Sequence, residues 1–111
     1  MDKDDWGVDP QVRYMRRIFA RIESAQEEFL RSLKLSPLDD RLRRWREAAL
    51  KLFEKTWMLS IRSGATADEA EASKIYLHCL AHFLKMNRIE VPPEILPGDD
   101  NIDRIVKEAL K

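Results

Sequence analysis

The only cysteine and both histidines of this chain fall within five positions, His78-Cys79-Leu80-Ala81-His82. Imidazole and thiolate are the usual side chains for holding zinc, for general base work and for nucleophilic attack. Two histidines four residues apart share one face of a helix, and Glu71, two turns upstream, falls on that face too. Glu71, His78 and His82 are therefore the one metal-ligand set the chain could offer. Three features count against it. A zincin carries a glutamate base between its histidines, and this stretch has none. Lys74 and Lys85 flank the same stripe and repel a cation. Glu71 is accounted for as the helical neighbour of Lys74. Cys79 falls off the stripe toward an apolar arc that includes Ile75, Leu80 and Phe83, where a thiol serves as a small hydrophobe. The balance favours a solvated polar strip on an otherwise buried helix. No Ser/His/Asp set, carboxylate pair or phosphate-binding glycine loop appears elsewhere. The sequence therefore predicts no metal, no cofactor and no enzymatic activity.

Arginine is the other candidate for a binding chemistry. Arg41, Arg43, Arg44 and Arg46 surround Trp45 but ring their helix instead of forming a stripe, which suits surface ion pairs. Asp39 and Asp40 stand four residues before Arg43 and Arg44. In a helical hairpin turning near residue 35, Glu28 comes level with Arg43, Glu27 with Arg44 and Glu54 with Arg17. Arg13, Arg16, Arg17 and Arg21 cluster on one side of the first helix near its N-terminus, where positive charge opposes the helix dipole. Asp4, Asp5 and Asp9 could offset them. This face is the candidate site for nucleic acid or an acidic partner.

Those residues need elements to carry them. With 111 residues, 44% hydrophobic and 36% charged, the chain fits one globular domain of helices with long solvated faces. Twenty basic and twenty acidic residues cancel, which argues against a dedicated nucleic-acid or anionic-membrane binder. A lone cysteine cannot close an internal disulfide, so a reducing cytoplasm is the simplest setting. The acidic N-terminus does not resemble a signal peptide, and no apolar run reaches membrane-spanning length.

Punctuation divides the chain into four helices. Asp9-Pro10 reads as N-cap and first helical residue. From there Val12, Met15, Ile18, Phe19, Ile22, Ala25, Phe29, Leu30 and Leu33 keep to an arc of about 140°. Ser36-Pro37 opens a second helix, with Leu38, Leu42, Trp45, Ala49, Leu52, Thr56 and Leu59 in heptad spacing and Gly64 as its stop. Thr66 and Glu69 form a capping box for the third. Three prolines break the stretch 88–99, and Asp99 or Asp100 caps the fourth. The fold class is all-α: an antiparallel bundle of three long helices over about 10–34, 37–62 and 67–87, all neighbours, plus a short C-terminal helix over about 101–110. Residues 1–9 form a flexible acidic arm and 10–111 one domain. The stretch 88–99 is long enough for the fourth helix to dock at either end.

The second helix carries more apolar surface than a three-helix hairpin hides. Leu50, Trp57 and Ile61 lie about 120–160° round from Trp45, outside the heptad seam; Phe53 joins them to it and Met58 stands apart. The fourth helix and Trp6 could cover this ridge from within the chain. A second copy is the alternative, with Leu50, Phe53, Trp57, Met58 and Ile61 as its interface. The functional reading that follows is a non-enzymatic helical interaction module that associates with itself or with a partner protein.

Overall fold

Four helices account for most of the chain: α1 (Pro10–Ser32), α2 (Asp40–Arg62), α3 (Glu69–Met86) and the shorter α4 (Asp100–Leu110). The computed structural model describes residues 10–36, 38–64 and 68–111, with Gln11 as backbone only. Among them there is no strand, and no helix is long and apolar enough to cross a membrane. The arm 1–9 with Trp6 and Asp9, together with Pro37 and Thr66, lies outside the described residues.

Local chemistry sets the helix ends. α2 starts three residues later than its sequence suggests. Asp39 is its N-cap, accepting from the Arg41 backbone N–H at 2.9 Å and from the Arg41 guanidinium at the same distance. Ser36 is spent on the preceding turn, where its hydroxyl oxygen accepts from the Leu38 N–H and its carbonyl from the Asp39 N–H. Leu38 consequently stands 90% exposed and is no part of the seam. α3 likewise begins at Glu69, with Asp68, not Thr66, as its N-cap. In both cases the carboxylate nearest the helix takes the cap. Asp99 caps α4, as read from the sequence.

α1 and α3 end alike, each in a left-handed residue that is neither glycine nor asparagine: Lys34 (φ 57) and Arg88 (φ 63). In each the next residue donates five positions back, Leu35 to the Leu30 carbonyl at 3.0 Å and Ile89 to that of Leu84 at 2.9 Å. Those are Schellman closures, and Leu35 and Ile89 pack on the core beside the leucines they bond. Apolar contact there offsets the cost of the left-handed turn.

α3 is the hub. It packs against α1, α2 and α4 and carries the largest share of the core. α1 runs parallel to it, since Arg17 reaches Glu69 at 3.5 Å while Gln26 meets Tyr76. α2 runs antiparallel to both. The expected α1–α2 hairpin is absent: among the described residues no Cα of α1 comes within 8 Å of one in α2. Arg43 accordingly pairs with Asp40 at 3.9 Å and Arg17 with Glu69, instead of with Glu28 and Glu54. Tyr76 is the physical reason. Its ring meets Phe53 of α2 edge-on at 6.1 Å and its hydroxyl donates to Gln26 of α1, so it stands as a wedge between the two helices. α4 starts over Lys74 and His78 of α3 and ends beside Leu59 and Arg62 of α2, crossing both. Residues 88–99 pack closely on the way, with Ile89, Val91, Ile95 and Leu96 against the core.

Candidate functional site

Where α1 and α2 stand apart, a cleft of about 440 Å³ opens on α3. Its α1 wall is Phe19, Ile22, Glu23 and Gln26; its α2 wall is Arg43, Arg46, Glu47 and Leu50; Tyr76 forms the floor. Helical geometry explains the lining. Phe19, Ile22, Glu23 and Gln26 repeat at three- and four-residue steps on one flank of α1, as do Arg43, Arg46, Glu47 and Leu50 on α2. The bottom is buried and the rim charged. Ile22, Gln26 and Tyr76 are buried, Phe19 and Leu50 are half-buried, and Glu23, Arg43 and Glu47 are exposed. The Tyr76 hydroxyl donates to Gln26 Oε1. Burial pushes that phenol up to about 12, with the Arg46 guanidinium nearby pulling the other way, so it stays protonated and serves as a hydrogen-bond donor, not a base.

The ridge read from the sequence divides in two. Phe53 and Trp57 belong to the chain's own core, stacked with ring centroids 6.0 Å apart. Leu50 is half-buried at the cleft wall, while Met58 is 51% and Ile61 43% exposed. Eleven residues separate Leu50 from Ile61, so the two share a helical flank and the apolar surface continues past the end of the cleft. α4 meets α2 across a hollow lined on α2 by Glu54, Lys55, Met58, Leu59 and Arg62, so Met58 stands toward α4 and only Ile61 shares the Leu50 flank.

The arginines of α1 are all exposed. Arg13, Arg16 and Arg17 line a shallow hollow of about 460 Å³ with Pro10, which Arg21 does not join; Arg17 also pairs with Glu69.

The structure does not bring Glu71, His78 and His82 together as a ligand group. Among the described residues no group of three or more His, Cys, Asp or Glu stands close enough to hold an ion. Nor is the polar strip of α3 solvated as expected. His78 is 8% exposed, because α4 docks on it. Asp99 and Asp103 of α4 complement the strip, at 3.0 Å from Lys74 and 3.6 Å from His78. His82 is half-buried, with its ring against Phe83. Cys79 sits in the core against Thr56 Oγ1 at 3.8 Å, and burial pushes its thiol up to about 12. A thiol so seldom ionised is no nucleophile at neutral pH.

Sequence reasoning missed the cleft residues Phe19, Gln26, Arg46 and Tyr76. One signal for it was legible: Gln26 is a polar residue within the apolar arc of α1, and a buried amide requires a partner. Compared with protein-family models, curated proteins and solved structures, the chain matches none.

Proposed function

We propose that the protein is a non-enzymatic helical interaction module that pairs with a second copy of itself across the α1–α2 cleft. The observation that carries this reading is the incomplete seam. Phe19 and Leu50 are incompletely covered at the cleft, Ile61 lies 43% exposed further along the Leu50 flank, and Met58 is 51% exposed beside the α4 hollow. Phe53 and Trp57, packed behind them, stiffen that face.

The rim favours a second copy over a charged partner. It carries both signs on facing walls, Glu23 on α1 opposite Arg43 and Arg46 on α2. A two-fold axis running along the cleft sets Glu23 of one protomer toward Arg43 and Arg46 of the other, and a net charge of zero leaves no long-range repulsion to overcome. A stable pair needs about 800 Å² from each partner, so the contact must extend from the cleft along Met58 and Ile61. A lone buried thiol suits a reducing, cytoplasmic setting.

Sedimentation velocity across micromolar to submillimolar concentration tests the pairing. The expected result is a concentration-dependent dimer that Met58→Glu with Ile61→Glu converts to monomer without loss of helix signal. A native chain that stays monomeric throughout refutes it. A second reading, nucleic acid or an acidic partner at Arg13, Arg16, Arg17 and Arg21, is supported by the hollow the first three form. Its test is a salt-dependent shift of single-stranded or duplex probes; no shift at low salt removes it.

A further inference from the structure

We propose that α4 is a pH-gated latch that closes over His78 while that side chain is uncharged and is loosened by its protonation. His78 sits in mid-α3 beneath α4, inaccessible but for a sliver of surface. Nδ1 lies 3.6 Å from Asp103 Oδ1, beyond good hydrogen-bond length. Nε2 is sealed from solvent and has no hydrogen-bond partner in the structure. A neutral imidazole leaves one bare lone pair there, a modest cost. An imidazolium carries a proton on both nitrogens, so Nε2–H becomes a buried charged donor with nothing to receive it.

The groups acting on His78 divide by element. On α3 itself, Lys74 and Lys85 oppose its protonation. From the α4 side, Asp103 and the N-cap Asp99 favour it. The linker residues that share a small hollow with it, Val91, Pro93, Leu96 and Gly98, bring no charge. Burial outweighs the two aspartates and moves His78 below the ordinary histidine value.

α4 is poised to respond. It has 11 residues, of which only Ile102 and Val106 are buried. A helix of that length does not hold together detached. Lifting α4 solvates His78 and returns it to about 6.5. The open state therefore takes up the proton more readily. Closure is unopposed above about pH 6.5, and it weakens as pH falls from there through the lower closed-state value. One proton sets the limit, about tenfold in the closed-to-open ratio per pH unit.

Amide hydrogen exchange between pH 7.5 and 5.5, corrected for intrinsic rates, tests the latch. Protection in α4 should fall by up to about tenfold per unit below pH 6.5, while α1 amides hold steady. His78→Gln should flatten the response and His82→Gln should preserve it. Protection in α4 that ignores pH, or a response that survives His78→Gln, overturns the proposal. Should His78→Gln fail to fold, the imidazole proton shifts of the native chain decide: a His78 midpoint below about 6.5 supports the latch and one at or above it refutes it.

Discussion

Tyr76 and Gln26 offer a sharp test of how dry the cleft floor is. Both side chains are buried, and the phenol donates to the amide oxygen across the α1–α3 contact. Gln26→Met preserves length and volume but leaves the Tyr76 hydroxyl without its acceptor. Such an orphan costs about 1–3 kcal/mol. Tyr76→Phe strands the Gln26 oxygen in the same way. The double variant removes both polar groups together, so its cost should be well below the sum of the two, with a coupling of about 1 kcal/mol or more. Each kcal/mol corresponds to about 4 °C of melting temperature at this chain length. Urea titration of all four proteins, followed by helix circular dichroism, gives the cycle directly. Two single variants each costing under about 0.5 kcal/mol and strictly additive would mean that water reaches the pair. That outcome would refute a dry floor, and with it the idea that Tyr76 props α1 and α2 apart by a buried contact.

Phe53→Ala should cost about 3–5 kcal/mol by chemical denaturation, because its ring touches both Trp57 and Tyr76, whereas Met58→Ala on the same helix should stay within about 0.5. Lys34→Gly and Arg88→Gly should each stabilise by about 0.5–1 kcal/mol, the relief of a left-handed φ less the extra chain entropy of glycine, read as a rise in the urea midpoint. Asp99→Ala removes the N-cap of α4 and should cost about 1 kcal/mol at neutral pH, seen first as faster exchange in α4. Lys74 and the Ile102 N–H hold the Asp99 carboxyl below the ordinary carboxylate value, so its contribution is present above about pH 4 and is lost as pH falls through the lower folded value. The difference between Asp99→Ala and the native chain should therefore shrink only as pH falls below about 4, far below the window in which His78 acts.

Helix number and order were legible because the apolar residues recur at helical spacing within each segment and the segments are divided by a proline, a glycine or a capping carboxylate. Two kinds of feature were not. The ends of α1 and α3 were read within two residues, but not the left-handed closures at Lys34 and Arg88 stabilised by Leu35 and Ile89, because neither position itself is glycine or asparagine. The spacing between α1 and α2 depends on the bulk of a third helix's side chain, and a helical wheel drawn for one element holds no information about it. His78 shows a related error. The wheel placed it correctly on a polar strip, but polarity was taken for exposure. The acidic first turn of α4, carrying Asp100 and Asp103 after the Asp99 cap, complements that strip and covers it. Of the cleft, Leu50 was read as part of a surplus apolar ridge, while its opposite wall on α1 went unread.

The hub position of α3 carries a consequence for biosynthesis. α1 has no helical neighbour besides α3 among the described residues, and α2 has only α3 and α4. A nascent chain leaving the ribosome thus exposes two long amphipathic rods that have nothing to clasp until residues 69–86 emerge. Both rods wait on α3, and α1, made before α2, keeps its apolar face uncovered the longer.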